Sequence, residues 1–74
     1  MIHLQKERQD LALAQRHIAE GRARIRRQLS LIRKIRSEGH DPDQALQLLR
    51  LMRQCVEAQR MHKSVIVTII RLGS

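Results

Sequence analysis

Arg36-Ser37-Glu38-Gly39-His40-Asp41-Pro42-Asp43-Gln44 decides how this chain folds. Gly39 suits the left-handed position that follows the last turn of a helix. Asp41 then reads as the N-cap of a second helix, with Pro42, the only proline, at its first position. Gln44 stands where a capping box places its return partner. Asp43 puts negative charge at the positive end of the second helix dipole, and Lys34 and Arg36 put positive charge at the negative end of the first. Every signal in these nine residues says that one helix stops and another starts. The expected layout is a single domain over 1-74, with a helix over about 3-37, a turn over 38-41 and a helix over about 42-72.

Upstream of the turn, Leu4, Leu11, Ile18, Ile25 and Ile32 recur every seven residues. Glu7, Ala14, Gly21, Gln28 and Ile35 hold the companion positions. This register predicts a long helix with a coiled-coil-like seam. Gly21 gives up about 1 kcal/mol of helix propensity relative to alanine; it reads either as a site of close helix approach or as a plain weak spot. Downstream, Ala45, Met52, Gln59 and Ile66 form one seven-residue series and Leu48, Cys55, His62 and Ile69 the next. Leu49, Val56 and Ile70 flank the seam on one side, and Leu51, Ala58, Val65 and Leu72 on the other. Such a face is wider than one partner helix covers. Folding about Gly39 and His40 pairs residues whose numbers sum to roughly 80, given equal rise along both helices. Ile32 then faces Leu48, Ile25 faces Cys55, Ala14 faces Ile66, Gly21 faces Gln59 and Gln28 faces Met52. Val65-Ile66-Val67-Thr68-Ile69-Ile70 is β-prone by propensity, but the heptad runs through it and favours helix.

At 74 residues, the chain has little interior of its own. Small domains compensate with disulfides, metals or oligomerisation. Cys55 is the only cysteine, and His3, His17, His40 and His62 lack zinc-finger spacing. Oligomerisation remains, and the expected dimer interface is Leu49, Leu51, Met52, Val56 and Val65. There is no Phe, Tyr or Trp, so the core is aliphatic and no ring can stack on a nucleobase. The single thiol fits a reducing cytoplasm. Met1 to Asp10 has no apolar signal region, and no run approaches the roughly 20 apolar residues of a membrane span.

The formal net charge is +8, which favours acidic partners. Seven basic residues and no acid lie between Arg22 and Arg36. Arg26, Arg27, Arg33 and Lys34 fall on adjacent outer positions of the first helix. With Arg22 and Arg36 they are the candidate anion or nucleic-acid contacts, acting through phosphates; a solvated face that keeps the protein soluble is the plainer reading. His17, Glu20 and His62 are an incomplete set for a bundle metal site, so no metal or other cofactor is expected. His62 reads as a core-edge residue bonded to Gln59 or water. Cys55 reads as a small hydrophobe in the seam, and Met52 and Met61 as gap-fillers. No pairing of nucleophile and base stands out, so the chain is not read as an enzyme.

His17-Ile18-Ala19-Glu20-Gly21, Arg27-Gln28, Gly39-His40-Asp41, Ala45 and Leu48-Leu49 together resemble a group of short, uncharacterised alphaproteobacterial proteins. The resemblance covers just under half of the chain and implies a bacterial cytoplasmic helical hairpin, with no activity attached. The apolar tail from Val65 departs from the charged ends of that group.

The sequence therefore predicts an all-α antiparallel two-helix hairpin that dimerises into a four-helix bundle. The expected role is that of a small basic homodimeric interaction module. The alternative is a binder of RNA or DNA phosphate backbone. An acidic protein is a further candidate partner, and an anionic membrane surface a less favoured one.

Overall fold

The computed structural model describes residues 4–73, the side chain of Leu4 excepted. The sequence-predicted start of the first helix near His3 and the seam role of Leu4 lie outside the described side chains. Helix α1 spans Leu4–Ser37 and helix α2 spans Asp43–Gly73. The two pack against each other as a hairpin measuring 59 × 14 × 12 Å.

The turn closes with paired backbone groups. Gly39 has φ of +77°, which only glycine adopts without strain. The Gly39 N–H donates to the Arg36 carbonyl and the His40 N–H to the Ile35 carbonyl, both at 3.0 Å. Those two bonds, crossing over one left-handed residue, are the Schellman arrangement. The Ser37 hydroxyl adds a 2.8 Å bond to the Lys34 carbonyl. On the far side, the Asp41 carboxylate accepts the Asp43 N–H at 3.0 Å, and the Leu46 N–H closes onto the Pro42 carbonyl at 2.9 Å. An acidic side chain thus occupies the positive end of α2.

On α1 the inward side is the one the heptad marks. Ala14, Ile18, Gly21, Gln28 and Ile32 are buried, and Leu11, Ile25 and Ile35 are half-buried. On α2 one series is as expected in position: Ala45, Met52 and Gln59 are half-buried and Ile66 is the most buried apolar residue, 3% exposed. The second series is not. Leu49, Val56, Lys63 and Ile70 turn inward, whereas Leu48, Cys55, His62 and Ile69 are exposed. Leu48 and Cys55, expected opposite Ile32 and Ile25, thus lie at exposed positions. Cys55 is a surface thiol, not a core hydrophobe, and Met61 is exposed rather than filling a gap. The physical reason is volume. Each series holds one leucine and one isoleucine, so the difference lies in Val56, a larger aliphatic side chain than Cys55, and in the long methylene stem of Lys63 in place of the His62 ring, with burial contributing about 25 cal/mol per Å².

Gly21 lies directly against the side chains of the facing helix. A Cβ on Gly21 would lie 2.6 Å from Val56 Cγ2 and 3.4 Å from Gln59 Oε1. The glycine is a close-approach site. Gln28 is the one buried polar side chain among the described residues, and its amide donates to the Ala45 carbonyl at 2.9 Å, nearer the turn than the Met52 level expected for it. Val65 to Ile70 is helical; Ile66 anchors that stretch in the seam, and the Thr68 hydroxyl is satisfied by the Ser64 carbonyl at 3.0 Å.

The core is nevertheless thin. No described side chain of any size is completely buried. The radius of gyration is 17.0 Å, against about 11 Å for a compact chain of this length. The accessible surface is 6004 Å², against about 4,700 Å² for a compact monomer of this mass.

Candidate functional site

The exposed side of α2 divides lengthwise into an apolar half and a cationic half. On the apolar half, Leu48, Leu51, Cys55, Ala58, His62, Val65, Ile69 and Leu72 follow one another at alternating spacings of three and four. That is a second heptad seam on the same helix, parallel to the one that holds α1. Its exposure is high: Leu51 and Val65 are each 57% exposed and Leu72 is 80% exposed. The next positions outward are Gln47, Gln54 and Met61, so this half holds no Asp, Glu, Lys or Arg. Every charged residue of α2 beyond Asp43 (Arg50, Arg53, Glu57, Arg60, Lys63 and Arg71) lies elsewhere on the helix circumference.

Of the residues expected at a dimer interface, the structure separates two sets. Leu49 and Val56 are buried inside the hairpin, at 6% and 8% exposure, and Met52 is half-buried there. Helix α1 covers them. Leu51 and Val65 remain on the open seam, joined by Leu48, Ile69 and Leu72, which the sequence reading did not place at an interface. The missed signal was present in the spacing: two interleaved heptads run along α2, and only one of them can face α1.

The arginine strip of α1 is exposed throughout. Arg22, Arg26, Arg27, Arg33, Lys34 and Arg36 all face solvent. None of them makes an ion pair among the described residues. The acids nearby serve other cations: Glu20 bridges Arg16 at 3.1 Å and Arg24 at 4.0 Å, and Glu57 meets Arg60 at 3.8 Å. These pairs are exposed and contribute little to stability.

Along another edge of the hairpin, α1 and α2 flank an open cleft of about 630 Å³. Arg22 lines one wall and Arg60, Lys63 and Arg71 the other, over an apolar floor that includes Ile18 and Val67. No acid lines it. On the seam side, His17 and His62 line a smaller depression with Asp10 and Leu13. Glu20 is engaged by arginines and not by that pair. Among the described residues no three metal-ligating groups converge. His62 is exposed, and the buried Gln59 Oε1 accepts no hydrogen bond, so the expected pairing of those two is absent. No helix among the described residues is long and apolar enough to cross a membrane.

The fold defines an all-α two-helix hairpin with one apolar face left open. No protein family, curated protein or solved structure matches the chain.

Proposed function

We propose that this protein is a self-association module, a homodimer in which the open seam of α2 packs on its own copy to form a four-helix bundle. The observation that carries the reading is the charge-free second heptad on a helix that is otherwise cationic. Depletion of charge at the centre of a contact surface is what distinguishes interfaces from ordinary surface. The amount of surface fits as well. The hairpin exposes roughly 1,300 Å² more than a compact monomer would, somewhat above the ~800 Å² per partner of a standard interface.

The seam favours an antiparallel pairing. Centred on residue 60, it matches Leu48 with Leu72, Leu51 with Ile69, Cys55 with Val65 and Ala58 with His62 of the second copy. Small residues then face larger ones, as interdigitated packing requires. A parallel pairing would set Ala58 on Ala58 and His62 on His62, leaving a void at one level and two imidazoles at the next. It would also stack the two Arg22 to Arg36 segments side by side. The antiparallel pairing holds their centres about 30 Å apart, beyond the ~8 Å screening length of physiological salt.

Cys55 is a native probe of this register. The antiparallel pairing leaves the two thiols about 15 Å apart along the axis, too far for a disulfide. Oxidation of the wild type is expected to yield no covalent dimer, whereas Val65→Cys paired with Cys55 is expected to cross-link rapidly. Rapid disulfide formation by Cys55 alone means a parallel seam. A dimer seen in neither scattering nor cross-linking removes the reading altogether.

The unpaired cations of α1 support a second reading, contact with the phosphate backbone of RNA or DNA. The dimer would then display its strips at opposite ends, and affinity would fall steeply with salt.

A further inference from the structure

We infer that the cleft between α1 and α2 is a binding site for a short run of linked phosphates, such as a free condensed phosphate or the triphosphate tail of a nucleotide. This goes beyond self-association, because the site is complete within one chain.

Three observations converge on it. First, both helices contribute cations to one cleft and neither contributes an acid: Arg22 comes from α1, and Arg60, Lys63 and Arg71 from α2. Arg60 also meets Glu57 at 3.8 Å outside the cleft lining, and on the flank of α1 Arg16 and Arg24 share Glu20. Folding gathers like charges here, and a bound polyanion relieves their repulsion.

Second, Lys63 occupies a seam position. The inward series are Ala45, Met52, Gln59 and Ile66, and Leu49, Val56, Lys63 and Ile70. They turn polar only at Gln59 and Lys63, one helical turn beside the cleft. Lys63 is half-buried, as its register equivalent Ile70 is, where Leu49 and Val56 are buried. Its side chain lines the cleft, and a lysine stem can cover apolar surface while the ammonium stays in water. An aliphatic residue would serve the hairpin better, so the charge is there for the cleft. Arg22 and Lys63 make no ion pair among the described residues.

Third, the cations of α2 extend from Arg60 to Arg71, about 16 Å of helix. That length exceeds a single phosphate and suits a chain of them. Guanidinium groups bind phosphate oxygens through paired N–H donors and the ammonium acts as a point charge. With no aromatic side chain in the protein, recognition stops at the phosphates.

The test is calorimetric titration of the intact protein with sodium tripolyphosphate at low salt. The expected result is saturable binding of one ligand per chain. Arg22→Gln with Lys63→Met should weaken it by at least about tenfold. Arg26→Gln with Arg33→Gln removes the same charge outside the cleft and should weaken it by less than about threefold. Circular dichroism should show the cleft variant folded, with a melting temperature no lower than the wild type's, because Lys63→Met completes the apolar seam. ATP binding as tightly as tripolyphosphate identifies the nucleotide tail as a source; tripolyphosphate alone identifies the free anion. Equal weakening by both double variants, absence of saturable binding, or binding of a single-stranded oligonucleotide without tripolyphosphate overturns the site.

Discussion

At the scale of single residues, the hairpin depends on two glycines used for different reasons. Gly39 supplies a backbone angle and has open space around it; Gly21 supplies space and has ordinary helical angles. Gly21→Ala sets two terms against each other. It gains about 1 kcal/mol of helix propensity and incurs about 1–3 kcal/mol of overpacking against Val56. The steric term wins at 2.6 Å, because the opposing atom belongs to a stiff β-branched side chain. Thermal denaturation of Gly21→Ala should show a lower melting temperature, and adding Val56→Ala should recover part of the loss, with the pair non-additive in a double-mutant cycle. A Gly21→Ala protein that melts higher than wild type would remove the close-approach role. Gly39 was readable in the sequence because its partners Asp41 and Pro42 are local. Gly21 was readable in part: the heptad pairing set Gln59 opposite it and left close approach as one of two readings, but the deciding contact is with Val56, a residue thirty-five positions away.

At the scale of elements, α1 has one seam and α2 has two. The α1 seam follows from its strict series of aliphatics. The α2 seam could not be chosen from spacing, since Leu48-Cys55-His62-Ile69 and Leu49-Val56-Lys63-Ile70 are one residue apart and each satisfies a heptad with the Ala45 series. Volume decided it, even with a lysine in the winning set. A reading by residue type alone would reject Lys63 as an inward position, yet a long stem lets it sit there. This cost is measurable. Lys63→Met should stabilise the hairpin by about 1 kcal/mol through added apolar burial, seen as a higher urea midpoint with an unchanged slope. A destabilised Lys63→Met variant would mean that the ammonium supports the fold. The β-prone run from Val65 to Ile70 is helical for the same reason that α2 chose its seam: burial of Ile66 outweighs local propensity.

At the scale of the whole molecule, the hairpin is a rod that exposes more surface than a compact chain of its mass. The open seam, the inner seam and the cationic cleft lie at successive positions around one thin hairpin. Substitutions therefore separate by what they disturb. Leu51→Glu or Val65→Glu places charge on the open seam and should dissociate the dimer with little loss of helicity under conditions where the hairpin stays folded, since both side chains are more than half exposed in the single hairpin. Leu49→Glu or Val56→Glu places charge inside the hairpin and should unfold it. The measurement that bears most directly on the central claim is sedimentation equilibrium of the wild-type protein at micromolar concentration. Self-association through α2 predicts a mass of about twice the 8.7 kDa chain, returning to the chain mass in Leu51→Glu with Val65→Glu. A wild-type protein that sediments as a folded monomer would contradict it.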